Sequence, residues 1–297
     1  MSVESNCEAA VEIARGEWGV WAQAFDDPPL KVSFKVMRSK SRDCRAPEPF
    51  VAREHRFHIH PDAHNRGRGD TRAGTATAIV QQSVVEDRPY FVYHFLEALA
   101  FQLITSRYFT PIHAGCVARD GRAVLIAGDS GDGKSSLSYA CARQGWIFVS
   151  DDASPLLRRC SSTRRIVGSP HHIRLRPDAR ELFPELAAFQ PAMRGNGKLS
   201  LQIPTRDLPI VTAQAAFADA IVLPRRVSRE HSSSPARLTR IDKTLVRAPF
   251  EKWFYHWDPP IHAGQQAAFE ELLAGVRTFA LEYWDLETAV EVLHDAL

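Results

Sequence analysis

The chain has 297 residues, enough for one large domain or two ordinary ones. An apolar fraction of 44% with 24% charged residues is that of a soluble globular protein and excludes a disordered chain. Basic residues (37) nearly balance acidic ones (35), and the net charge of +2 gives no reason to expect a nucleic-acid partner.

The N-terminus opens on Glu4, Cys7 and Glu8, without the basic patch and apolar run of a signal peptide. The five cysteines, Cys7, Cys44, Cys116, Cys141 and Cys160, are scattered and form no C-x-x-C pair. A disulfide framework is not expected, and the expected compartment is a reducing cytoplasm. Alternation at Val32–Val36 and Arg56–His60 predicts strands of a small mixed domain. The glycine- and arginine-rich segment Asn65–Gly74 (NRGRGDTRAG) is expected to be a loop. Phe91, Phe95, Leu96, Leu99, Leu103 and Ile104 recur at helical spacing, predicting an amphipathic helix over Tyr90–Arg107. The stretch Phe91–Ile104 is too short, and too interrupted by His94, Glu97 and Gln102, to span a bilayer, so no membrane partner is expected.

Beyond Pro111 the pattern becomes strand, loop, helix, strand, an α/β arrangement. The run Ala123–Ala127 predicts a buried strand, and a helix should start near Lys134 and stop around Gly145. Ile147–Val149 predicts a second strand ending at Ser150-Asp151-Asp152. A helix is expected from Pro177, since proline suits a first turn, and a strand at Ala220–Leu223. The segment Arg229–Arg237 reads as a mobile polar loop, and Gln265–Ala274 and Leu286–Leu297 as helices. This divides the chain into an N-terminal accessory or substrate-recognition domain, 1–108, and a catalytic domain, 109–297.

Gly128-Asp129-Ser130-Gly131-Asp132-Gly133-Lys134-Ser135 fits G-x-x-x-x-G-K-[ST] without a mismatch, between an apolar strand and an amphipathic helix. Glycines let the backbone curl so that successive N–H groups face phosphate oxygens, and the helix N-terminus adds positive partial charge. In this pattern Lys134 neutralises the β- and γ-phosphates of ATP and the Ser135 hydroxyl holds Mg²⁺. The loop specifies nucleotide phosphate; it does not specify the reaction.

Asp151, at the end of the next predicted strand, is placed to reach the Mg²⁺ held by Ser135. A second acid beside it permits a division of labour, one carboxylate ligating metal while its neighbour accepts the proton of an attacking hydroxyl. The plainer reading of that second acid is a turn or cap residue. No glycine follows at the spacing of a GTPase switch, and Asn196-Gly197-Lys198 lacks the acid of a guanine-reading loop.

Ile112-His113-Ala114-Gly115, then Ala123–Ser135, then Gly145 and Ser150-Asp151-Asp152 together resemble the catalytic domain of the bacterial HPr kinase/phosphorylase family. The motif core runs from His113 to Asp152. The resemblance implies a P-loop kinase domain of the HPr kinase/PEP carboxykinase-like type with a smaller N-terminal α+β domain. It further implies that Lys134 and Ser135 handle phosphate and Mg²⁺, that Asp151 sits nearest the metal, that Asp152 is the base activating a seryl hydroxyl, and that His113 assists at the phosphate. Where the family carries a glutamate-bearing signature as a further metal contact, this chain reads His171-His172-Ile173-Arg174-Leu175-Arg176-Pro177, without an acid. In this it is similar to a diverged branch, the kinases that modify ribosomal peptides such as lasso-peptide precursors.

The function this implies is transfer of the ATP γ-phosphate to a Ser or Thr hydroxyl of a small protein or peptide. A small-molecule kinase and a nucleotide-gated binding module are the alternatives, and a homo-oligomer is left open. Four cations, Arg174, Arg176, Arg194 and Lys198, are candidates for stabilising the transferring group. Arg56-Phe57-His58-Ile59-His60 with His64 reads as a solvated strand face before it reads as a metal site, and Trp253-Phe254-Tyr255-His256-Trp257 as core or an intrachain interface before a peptide dock.

Overall fold

The computed structural model describes residues 1–19, 25–38, 50–60, 64–160, 162–230 and 232–296. It is a mixed α/β protein with two large sheets. The chain divides into two compact units. The first comprises Met1–Arg107 with the short segments Met193–Lys198 and Tyr255–Ile261. The second comprises Tyr108–Ala192, Leu199–Phe254 and His262–Leu297.

The first unit runs β1 (Ser2–Ser5), α1 (Glu8–Trp18), β2 (Lys31–Met37), β3 (Val51–Arg53), β4 (Arg56–Ile59), β5 (Arg66–Asp70) and β6 (Thr75–Gln81). Helices α2 (Gln82–Glu86) and α3 (Arg88–Phe91) follow, and α3 continues through a π-helical turn, Val92–Glu97, into α4 (Ala98–Tyr108). Its six-stranded sheet has the order β1-β2-β6-β5-β4-β3, parallel across β1, β2 and β6 and antiparallel beyond. Period-2 alternation sends Val32, Phe34, Val36, Phe57, Ile59, Ala76, Ala78 and Val80 to one buried face. Phe91 meets Phe34 edge-on there, with ring centroids 5.0 Å apart.

The segment expected as a loop at Asn65–Gly74 contains strand β5 instead. The reason is packing. Arg66 and Arg68 point outward, and Gly67 and Gly69 face the core. A Cβ on Gly69 would overlap the Phe57 ring, and one on Gly67 would lie 3.1 Å from a Leu99 methyl. Both glycines are extended strand residues that leave room for larger neighbours. The predicted helix is present, two residues longer at its start and one at its end.

The second unit contains β7 (Phe109–Thr110), β8 (Ala114–Arg119), β9 (Arg122–Ala127), α5 (Lys134–Arg143), β10 (Ile147–Ser150), β11 (Leu156–Leu157), β12 (Arg165–Val167) and β13 (His172–Leu175). After these come α6 (Ala179–Leu182), β14 (Ala192–Met193), β15 (Leu199–Pro204), β16 (Val211–Thr212), β17 (Ala215–Arg226), β18 (Ala236–Arg240), α7 (Ala248–Glu251), α8 (Pro259–Gly275), β19 (Arg277–Tyr283) and α9 (Leu286–Ala296). The sheet order is β16-β10-β8-β9-β17-β12-β11-β7, with β19 beside β17 and β18 beside β19. Cores form on both faces. Val117, Val124 and Ile126 pack with Leu137, Val290 and Leu293, whereas Cys116, Leu125 and Ala127 pack with Phe250, Phe269 and Leu272.

Some expectations shift. The helix expected from Pro177 starts at Ala179 and lasts one turn, and the last two residues of the expected loop Arg229–Arg237 belong to β18. Strand β8, not foreseen, forms a hairpin with β9 through Asp120 and Gly121, both with positive φ (51° and 77°), the backbone an Asp-Gly hairpin turn needs. Cys7, Cys116, Cys141 and Cys160 are free thiols, and Cys44 lies outside the described residues. No helix among the described residues is long and apolar enough to cross a membrane.

Candidate active site

Strand directions assemble the site. Strand β8 runs antiparallel to both β9 and β10, so its start lies at the same sheet edge as their ends. His113 precedes β8, the Gly128–Ser135 loop follows β9, and Asp151 and Asp152 follow β10. Three segments distant in sequence therefore meet at one edge. Strands β17 and β19 run parallel to β9, and Arg226 and Tyr283 are register partners at their ends. The edge is the one at which open α/β sheets bind ligands, beyond the carboxyl ends of parallel strands.

The loop curls through left-handed backbone at Gly131 (φ 113°) and at Gly133 (φ 89°), the residue that opens α5. A side chain at Gly133 would be strained by φ and would also collide with the Tyr283 hydroxyl. Lys134 is buried, and its ammonium donates to the carbonyls of Gly128 (3.0 Å) and Asp129 (2.9 Å). Burial lowers its pKa, partly offset by the charges of Asp152, Asp132 and Asp129. Asp132 closes the loop on itself by accepting from the Asp129 N–H. Two cations brace the loop from outside: Arg176 donates to the Ser130 hydroxyl at 3.3 Å, and Lys252 pairs with Asp129 at 3.1 Å.

The two adjacent acids sit in different surroundings. Asp151 is buried, and one of its oxygens accepts from the Arg174 N–H at 2.7 Å. Desolvation raises its pKa to about 6 against the opposing pull of the Arg174 charge. Asp152 is half exposed, and its Oδ1 lies 3.4 Å from His113 Nε2. The Ser154 N–H donates to the Ile112 carbonyl at 2.9 Å and its hydroxyl to the Ala114 carbonyl at 2.8 Å, tying the segment after the acids to the segment that carries His113. Gly115 lets α5 pack against β8, because a side chain there would run into the Ser138 hydroxyl. Trp253 covers the outer side of His113, with ring centroids 4.9 Å apart.

All eight loop residues, His113, Asp151 and Asp152 thus lie at one edge, and Arg174 and Arg176 lie beside it. Arg194 and Lys198 belong to the first unit and have no described place at this edge. Sequence reasoning missed Arg226, Lys252 and Tyr283. Arg226 brings its side chain against Gly133, and Tyr283 is buried there, its hydroxyl without a hydrogen-bond partner among the described residues. Its pKa is pushed up to about 12 by burial. The parallel pairing of two distant strands is what brings them in, and no local pattern signals it. Among the described residues no group of three or more His, Cys, Asp or Glu could hold a metal unaided, and His58, His60 and His64 form none.

No family model and no curated protein matches the chain. Fifty-two chains of solved structures do. One is the Hpr(Ser) kinase/phosphatase from Coxiella burnetii, 15% identical, covering 63% of this chain and 94% of that one at a TM-score of 0.30. A superposition that loose carries no weight for the reaction.

Proposed function

We propose that the second unit is an ATP-dependent phosphotransferase of the HPr kinase-like P-loop type, moving the γ-phosphate to a Ser or Thr hydroxyl of a small protein or peptide. The observation that carries this reading is the placing of Asp152. Its carboxylate is half exposed, is held through one oxygen by His113, and is the strongest of the charges acting on the Lys134 ammonium. A base beside a phosphate cradle is what hydroxyl activation requires.

The residues fit the phosphate and metal. The curled glycines leave the loop without side chains where phosphate oxygens would approach, and Ser135 with the Asp151 carboxylate offers the hard oxygen donors Mg²⁺ takes. The bound metal would neutralise charge on the phosphates. Lys134 exchanges its two carbonyl partners for phosphate oxygens. Asp152 accepts the hydroxyl proton as the acceptor oxygen bonds to the γ-phosphorus and ADP departs. With His113 beside Oδ1 of Asp152, Oδ2 is left to take the proton, and His113 can donate to a phosphate oxygen when protonated. The first unit, with Met1–Arg107 as its main part, would serve substrate recognition.

The test is transfer of labelled γ-phosphate to serine-bearing peptides and, separately, to free hydroxy amino acids and sugars, with the wild type and Asp152→Asn. The reading expects transfer to peptide, with Asp152→Asn slowed about 10²–10⁴-fold while still binding MgATP. Transfer only to free metabolites would shift the substrate class. Hydrolysis alone, with no acceptor labelled and no effect of Asp152→Asn, would leave a nucleotide-gated binding module.

A further inference from the structure

The phosphotransfer site leaves unused the arginine- and histidine-rich strands of the first unit. Alternation that buries one face of its sheet exposes the other, and that outer face is strongly cationic. Strand β5 presents Arg66 and Arg68, β4 presents Arg56 and His58, β3 presents Arg53, and β2 presents Lys31 and Lys35. The acids on this face are Asp70, which pairs with His55 and Arg56, and Glu4 of β1, opposite Ser33. This concentration stands out in a chain whose net charge is +2.

Register sharpens the point. An ordinary solvated sheet face sets opposite charges across from one another, since like charges directly opposite destabilise the pair. Here Arg56 has Asp70 opposite it on one side, but Arg53 lies opposite Arg56 on the other and His58 lies opposite Arg68. The pKa of His58 is lowered by partial burial, and also by His60, Arg68 and Arg56. Arg66 and Arg68 have no ion-pair partner among the described residues. Arg53 set against Arg56, and Arg68 set against a ring whose protonation it opposes, are retained at a cost that an external anion would remove.

We propose that this outer face docks an acidic, extended polypeptide segment. The spacing suits one: Arg66 and Arg68 stand two residues apart on a strand, about 6–7 Å, the separation of same-side carboxylates at alternate positions of an extended acidic chain. Between these arginines and Lys31 and Lys35 runs β6, whose outward Thr75, Thr77 and Ile79 leave a low floor for a backbone. Among the described residues the face carries no Phe, Tyr or Trp, and its one imidazole, His58, is already stacked on His60; free aromatic faces are what single-strand binders rely on. The near-neutral chain also lacks the bulk charge that draws a duplex. An acidic peptide is the anion that matches both the charge and the missing aromatics.

The experiment measures fluorescence anisotropy of a labelled glutamate-rich peptide titrated with the full chain at low salt, beside a labelled single-stranded oligonucleotide and phosphatidylserine vesicles. The peptide should bind, with affinity falling steeply as salt rises. Arg66→Gln/Arg68→Gln should weaken it about tenfold or more, as loss of two charge-assisted contacts would. Arg66→Glu/Arg68→Glu should instead bind a lysine-rich peptide. Neither variant should change basal ATP turnover, which separates failure here from failure of the phosphotransfer reading. If the Gln pair does not fold by circular dichroism, Lys31→Gln/Lys35→Gln asks the same question from β2. Peptide binding unchanged in the folded variants, no peptide binding by the wild type, or tighter binding of oligonucleotide or vesicles would each overturn the proposal.

Discussion

Two glycine-rich segments of this chain use the same residue for opposite reasons. In Gly128–Ser135, Gly131 and Gly133 are there for their backbone, which takes left-handed φ so that the loop can turn into α5. In Arg66–Asp70, Gly67 and Gly69 are there for the side chain they lack, because Leu99 and the Phe57 ring occupy the space. The first segment is unfavourable by itself, with a buried ammonium and a buried carboxylate close by. The second is an ordinary strand with a crowded inner face and a cationic outer one. The difference teaches that local cost accumulates where a ligand is to be bound, whereas close packing alone produces none.

The largest effect should come from the loop. Lys134→Ala removes the cation that faces Asp152 and the loop carbonyls, and transfer should fall by at least about 10²–10³, with the melting temperature little changed. Single-turnover transfer and a thermal melt check both halves. A variant turning over normally would reduce the loop to a structural turn.

Asp151 tests whether cost is stored at this edge. Its folded pKa is raised above the ordinary carboxylate value, so in metal-free buffer the native state holds its proton where the unfolded chain has lost it. Stability from this group is therefore full below about pH 4 and is lost as pH rises through about 6. A shift of this size corresponds to about 3 kcal/mol. Asp151→Asn should lack that decline, and melting curves of both proteins from pH 4 to pH 7.5 compare them. Parallel curves would mean that the carboxylate is not destabilised by burial.

The two glycine roles separate by substitution. Gly69→Ala should cost roughly 1–3 kcal/mol by overpacking against Phe57, read by urea denaturation, and leave nucleotide affinity intact. Gly133→Ala should chiefly abolish MgATP binding in calorimetric titration. The same pattern of losses in both variants would collapse the contrast.

The smallest effect concerns His58. Its pKa is depressed, so the folded state prefers the neutral ring, and stability is lost slightly as pH falls below the usual histidine value. His58→Gln should remove that small slope, as melts between pH 5 and pH 7.5 would detect. Binding of the glutamate-rich peptide should strengthen only below the ordinary histidine range, as the ring gains its charge.

Sequence alone determined the parts governed by local chemistry. The apolar run before Gly128, the helix after it, Gly145 at its end and the strand before Asp151 all follow from periodicity and backbone preference, and the structure has each of them. Local pattern failed at β5, because a glycine that clears room for Phe57 cannot be told from one that turns the chain until Phe57 is in place. It failed also at β8, although Asp120-Gly121 carried a hairpin signal. Only tertiary structure decided that β8 lies between β9 and β10, and so brought His113 to Asp152. Only the parallel pairing of β17 with β19 set Arg226 and Tyr283 beside the loop. Strand order and register depend on contacts between residues far apart in the chain, and composition and spacing carry no record of them.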